Sequence, residues 1–195
     1  MTARRLIGVL GGMGPMATVD FMRNVIEMTP ADIDQQHVPM IVHCVPQVPD
    51  RVAAILEGRD DPLPVLIAAA AKLTEAGAEL IVMPCHTAHA WFGPLAAATK
   101  APMLHIATAA LADLEAVMPR PRRVALLGTL GTLRAGIYQQ RMRERNFEMV
   151  LPGEDVQADV LAAIAAVKRN AMHAAEAHAD RAFARASAFA SNAAT

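Results

Sequence analysis

Two glycine turns limit what this chain can fold into more than any other feature. Leu10-Gly11-Gly12-Met13-Gly14-Pro15-Met16 aligns with Leu127-Gly128-Thr129-Leu130-Gly131-Thr132-Leu133, an offset of 117 residues between Gly11 and Gly128. Each turn follows a short apolar run and precedes a helical pattern. A strand, glycine turn and helix repeated at that interval predicts two similar half-domains, with a ligand cleft facing the carboxyl ends of both sets of strands.

The intervening sequence supports a layered α/β fold. Apolar runs bounded by Gly or Pro recur at Leu6–Leu10, Met40–Cys44, Leu80–Met83, Met103–Ile106, Val124–Leu127 and Phe147–Leu151. Between them lie alanine-rich helical stretches at Met16–Met28, Pro62–Ala76, Ala88–Thr99, Ala107–Val117, Leu133–Arg145 and Asp155–Val167. Such alternation predicts parallel strands covered by helices. The expected organisation is a first lobe at residues 1–100, a shortened second lobe at 101–168 and a divergent alanine-rich tail at 169–195.

Composition excludes several classes of function. A net charge of −1 with 4% aromatic residues provides neither a basic footprint nor a stacking platform for nucleic acid. The apolar runs are too short or too interrupted to span a bilayer. Two cysteines, Cys44 and Cys85, cannot make a disulfide scaffold for 195 residues, and the N-terminus leads straight into a strand rather than a signal segment. A small-molecule ligand in a reducing cytoplasm is expected.

Cys85 is the chemically most informative side chain. It follows the run Leu80-Ile81-Val82-Met83 and Pro84, at a strand's carboxyl end and beside a helix start that Thr87 can cap. A helix N-terminus or a nearby histidine favours the thiolate, and His89, four residues on, falls on the same helical face. The plainer reading is a buried cysteine acting as a small hydrophobe. Cys85, His86 and His89, joined by His43 or Cys44, could also be read as metal ligands. No paired Cys-x-x-Cys or His-Glu-x-x-His accompanies them, however, and no metal is expected. Cys44 ends an apolar strand, where core packing is expected. Each glycine turn can be read as tight packing or as an anion cradle for a small acid's carboxylate, with the hydroxyls of Thr129 and Thr132 in the second copy. Val45-Pro46-Gln47-Val48-Pro49-Asp50-Arg51 reads as a proline-stiffened loop holding Arg51 for carboxylate capture, or as a surface charge paired with Asp50. Lys168, near a helix C-terminus, has a plain dipole explanation.

Together, Gly11-Gly12-Met13-Gly14-Pro15, Val45 to Arg51, Pro84-Cys85-His86-Thr87-Ala88-His89 and Gly128-Thr129-Leu130-Gly131-Thr132 resemble the aspartate/glutamate racemase family, especially its aspartate racemase branch. The resemblance runs in order from Leu6 to Lys168. It implies a pyridoxal-independent reaction without a cofactor, in which a thiolate removes the α-proton of an amino acid and a thiol on the opposite face returns one. Cys85 matches the first thiol. The resemblance further implies that Arg51 and Lys168 hold substrate carboxylates, that Met13, His86 and Thr87 border the substrate, that Thr129 and Thr132 lie near the second cradle, and that the protein is a homodimer.

Two departures stand out. His86 occupies a position where the family usually has asparagine. The second cysteine, expected in a Gly-Cys-Thr-Glu-like turn after a final buried strand, is not recognisable, and the tail from Asn170 onward is rich in alanine, histidine and arginine. The expectation is an amino-acid racemase for aspartate or a related acidic amino acid, its activity impaired by loss of the second thiol. Alternatives are an inactive small-acid-binding or interaction protein, a one-thiol decarboxylase-like or isomerase-like enzyme, and a hydrolase pairing Cys85 with His89.

Overall fold

The computed structural model describes residues 5–118 and 122–192. The chain divides into two compact units, the first ending at Ala110 and the second starting at Leu111. Each contains a parallel sheet flanked by helices, so the α/β architecture with two half-domains expected from the sequence is the one observed.

In the first unit β1 (Ile7–Gly11) lies between β2 (Met40–Cys44) and β3 (Leu80–Val82), all parallel. Ile7 stands opposite Met40 on one side and Leu80 on the other, and Gly11 opposite Cys44. A central parallel strand is covered on both faces, which is why β1 carries Val9 and Leu10 without polar alternation; both are fully buried. Gly8 is needed there because a Cβ would come within 2.7 Å of the Ala78 Cβ. The covering helices are α1 (Pro15–Glu27), α2 (Arg51–Glu57), α3 (Leu63–Glu75) and α4 (Phe92–Ala98). Proline in the first turn of α1 and α3 presets φ where a backbone N–H would lack a partner anyway. Leu66 and Leu73 of α3 meet Leu10, Ile81 and Leu95 in one core, each contributing about 1.5–3 kcal/mol by leaving water.

The second unit repeats the pattern with fewer strands. β4 (Arg123–Ala125) pairs in parallel with β5 (Glu148–Val150), placing Val124 opposite Met149. Val124 follows Ile7 by the offset of the glycine turns, whereas their partners Met40 and Met149 are 109 residues apart, so the repeat holds for the first strand and glycine turn of each unit. Among the described residues this sheet has two strands, in keeping with an incomplete second half. Helix α5 (Ile106–Ala116) begins in the first unit and ends in the second, ahead of β4; α6 (Leu130–Arg134) and α7 (Gln139–Glu144) lie between β4 and β5, and α8 (Glu154–Lys168) and α9 (Met172–Asn192) follow.

The segment after Lys168 forms a helix. Asn170 takes a left-handed φ of 58°, and the Ala171 N–H returns to the Ala166 carbonyl at 2.9 Å, which closes α8 and reverses the chain. Ala182 and Ala186 then pack against Val156, Val160, Ile164 and Leu127. Small residues on α9 give the apolar face its close approach.

Several expected elements differ from those observed. Met103–Ile106 is not a strand; only Met103 bridges to Ile81. His105 Nδ1 accepts the Ala107 N–H, so the chain is already turning into α5. The expected Leu133–Arg145 helix is broken between α6 and α7, where Gly136 takes φ 68° and the Gln139 side chain donates to the Leu133 carbonyl. Ala88–Thr99 is a 3-10 turn (Thr87–Trp91) followed by α4. Cys44 is exposed rather than packed, because it is the last residue of β2, at the edge of its sheet. No helix among the described residues is long and apolar enough to cross a membrane.

Candidate active site

Because β1, β2 and β3 are parallel, their carboxyl ends open on one side of the sheet, where open α/β sheets bind ligands. The segments after all three strands meet there. Met13 follows β1, Val48 follows β2 and Cys85 follows β3, and the three belong to one cluster of buried side chains. Helix α2 packs against the Thr87–Trp91 turn, joining the Arg51 segment to the cysteine segment.

The first glycine turn is built for close packing. The Gly12 N–H donates to Thr18 Oγ1 at 2.9 Å, so α1 itself takes up one donor of the expected anion cradle. Gly12 has φ 95°, and a Cβ there would lie 2.4 Å from the backbone nitrogen of Val45. The turn thereby seats β1's exit against β2's exit and fixes Met13 beside both.

Arg51 is not on the loop but at the first position of α2, with Asp50 as the cap. Asp50 Oδ1 accepts the N–H groups of Val52 and Ala53, both at 2.8 Å, which gives its carboxylate a structural task at the helix start. Arg51 Nη1 donates to the Val48 and Pro49 carbonyls, both at 2.9 Å, while Nε is buried without a hydrogen-bond partner. The guanidinium is thus pinned by one nitrogen and keeps donor capacity on the others.

Cys85 is 8% exposed. Its N–H bonds the Met83 carbonyl at 2.8 Å across Pro84, a three-residue turn that proline's fixed φ favours. Thr87 does not occupy the expected capping position. It is the first residue of the 3-10 turn, with His86 in the flanking position, and is itself buried. His86 keeps an exposed edge, yet the protein around its ring disfavours the imidazolium and pushes its pKa below the usual 6.5. A neutral imidazole in this position can replace an amide as a hydrogen-bonding group.

His89 is 4% exposed, and both ring nitrogens are engaged. Nδ1 lies 2.8 Å from the Cys85 carbonyl oxygen and Nε2 accepts the Ile106 N–H at 3.1 Å. The ring stacks on Phe92 at 5.6 Å and meets His105 edge-on at 4.8 Å. This arrangement ties His89 to the cysteine's backbone through Nδ1. His105 and Phe92 carry no motif of their own; the aromatic residue three positions after His89 is their only signal in the sequence.

In the second unit, Thr129 caps α6, its Oγ1 accepting the Thr132 N–H at 3.1 Å and lying 3.0 Å from the Thr132 hydroxyl. Thr132 is 1% exposed. Lys168 is the exposed last residue of α8, where its charge complements the helix C-terminus. His43, considered for a metal set, places Nδ1 3.2 Å from the Ala69 carbonyl oxygen. No group of three or more histidine, cysteine or carboxylate side chains suited to a metal ion occurs among the described residues.

Comparison with known proteins agrees with this architecture. A family model described as Asp/Glu/Hydantoin racemase matches residues 10–191. The broad specificity amino-acid racemase RacX of Bacillus subtilis (strain 168) is 33% identical over 172 residues, covering 84% of this chain and 71% of that protein. Among solved structures, Picrophilus torridus aspartate racemase matches with a TM-score of 0.80 and 32% identity, over 90% of this chain and 73% of that one. An aspartate racemase homologue from Pyrococcus horikoshii OT3 matches with a TM-score of 0.65 and 25% identity, over 80% and 68%. The chain belongs to the Asp/Glu/hydantoin racemase family, whose matched members include an amino-acid racemase and an aspartate racemase, and it is an isomerase of that type.

Proposed function

We propose that this protein is a pyridoxal-independent racemase of aspartate or a related acidic amino acid, with Cys85 as the acid/base group on one face of the substrate. The observation that carries this reading is the convergence of Met13, the Val48–Arg51 segment and Cys85 at the carboxyl ends of three parallel strands. In the reaction the Cys85 thiolate takes the α-proton. The electron pair left on the α-carbon delocalises into the carboxylate, whose growing charge requires fixed donors nearby. Arg51 is suited to that role, since Nη1 is already held and its remaining donors lie in a planar fork. His86, Thr87 and Met13 border the substrate in the same reading, and Thr129, Thr132 and Lys168 are assigned to substrate binding from the second unit. We assign the protein to the cytoplasm as a homodimer.

Inversion requires a proton from the opposite face. The chain's other thiol, Cys44, sits at the exposed end of β2, and turnover below that of a two-thiol racemase is expected. The test is α-deuterium incorporation and enantiomer ratio for L- and D-aspartate in heavy water, with Cys85→Ala as control. Exchange with inversion that disappears in the control supports racemisation. Exchange with retention identifies a single working base on one face, and absence of exchange with either enantiomer refutes the aspartate assignment.

A further inference from the structure

His89 is a buried polar side chain bonded to the Cys85 backbone that the proposed chemistry does not use. Its partners fix its protonation pattern. A backbone amide can only donate, so Nε2, facing Ile106 N–H, carries no proton; a carbonyl can only accept, so Nδ1, facing the Cys85 oxygen, carries one. The neutral Nδ1–H tautomer therefore links two backbone points 21 residues apart, the peptide leaving Cys85 and the first N–H of α5. The Phe92 stack and the His105 edge contact hold the ring in plane, and burial keeps water from competing for either bond.

The bond to Cys85 is the consequential one. The thiol side chain leaves a residue whose N–H is tied back to Met83 and whose carbonyl is tied forward to His89. With both flanking peptide planes fixed, the Cα–Cβ direction of Cys85 is set by the backbone. We infer that His89 is a positioning residue for the Cys85 thiol, acting through the Cys85 carbonyl and anchored by the N-terminus of α5. This inference rests on the reading of Cys85 as the proton-transferring group. Proton abstraction from carbon depends steeply on approach geometry, and a misplacement of about 1 Å can cost on the order of 100-fold in rate.

The two bonds can be separated by substitution in a Cys44→Ser background, which removes the exposed competing thiol. Asparagine places its amide near the Nδ1 position and can keep the Cys85 bond; glutamine reaches the Nε2 position and can keep only the Ile106 bond. The measurements are kcat and KM for aspartate α-exchange, the pH profile of Cys85 alkylation by iodoacetamide, and Tm. The expected result is that His89→Asn stays within several-fold of the parent, while His89→Gln loses about 10- to 100-fold in kcat with KM changed by less than about threefold. The alkylation profile should follow the same order even though Tm favours glutamine, which preserves the helix cap. A folded His89→Gln protein with parental kcat and alkylation profile, or one outperforming His89→Asn, overturns the inference. Should the parent show no exchange, the racemase reading fails, and the alkylation profiles alone decide the role of His89.

Discussion

The His178 imidazole on α9 stands 3.1 Å, Nδ1 to Oδ1, from the Asp159 carboxylate on α8. Arg181 reaches the same oxygen at 3.1 Å and Arg185 the other at 3.0 Å, so one carboxylate gathers three basic side chains from the neighbouring helix. The hydrogen bond from His178 leads in lowering the Asp159 pKa below its ordinary value of 3.8, with the two arginines adding to it. Since the folded pKa lies below the unfolded one, the stabilisation is present above about pH 4 and is lost as pH falls through the folded value. Asp159→Asn should therefore lower Tm at pH 7, with the gap to the parent closing as pH falls below the ordinary carboxylate value of 3.8. Thermal melts across that range check this, and a gap independent of pH would show that the carboxylate's charge does not fasten α9.

Tyr138, the only tyrosine in the chain, is buried, and desolvation raises its pKa to about 12. Its phenolate absorbance should thus rise near pH 12 in the folded protein and near pH 10 in denaturant. Raised folded pKa means that stability is intact below about pH 10 and falls as pH climbs toward about 12, because only the unfolded chain ionises freely in that window. Coincident titration of folded and denatured samples would contradict the burial of this ring.

Much of the fold is legible because short-range chemistry and long-range packing agree. The runs around Val9, Val42 and Ile81 are apolar on both faces, and each forms a parallel strand. Reading fails where a side chain overrides the local pattern. Met103 sits in an apolar run, but the adjacent helix start, held by His89 and His105, leaves room for one bridge. Arg51 reads as a loop residue, although Asp50 preceding Val52-Ala53-Ala54-Ile55-Leu56 is a helix-cap signal that the surrounding prolines obscure. For the site, the Cys85 motif and the glycine turns can be recognised from spacing. The backbone clamp on Cys85 cannot, since the Ile106 N–H arrives from 17 residues away.

Gly12 and Gly93 make a matched pair. Gly12→Ala places a methyl against the Val45 and Pro46 backbone at a φ of 95°, which L side chains rarely adopt. Strain of this kind costs on the order of 1–3 kcal/mol before the clash is counted, and the displaced turn carries Met13. At Gly93, the exposed second residue of α4, an added Cβ would meet nothing within 4 Å, so Gly93→Ala should change stability by less than about 1 kcal/mol. Urea denaturation of both variants tests the contrast; equal effects would mean that the Gly12 contact with Val45 is not rigid.

Asp50 connects fold stability to the candidate substrate-binding arginine. Its Oδ1 satisfies two first-turn N–H groups of α2, and α2 begins with Arg51. Losing such a cap costs about 0.5–2 kcal/mol. Fraying of that turn would also loosen the Arg51 bonds to Val48 and Pro49, which hold the guanidinium in place. Asp50→Ala should thus combine a modest loss of stability with a several-fold rise in KM for aspartate exchange. Asp50→Ser, a competent cap without the charge, should restore both. If serine recovers stability but leaves KM raised, the carboxylate's charge rather than its capping bonds governs Arg51, and the positional argument for α2 fails.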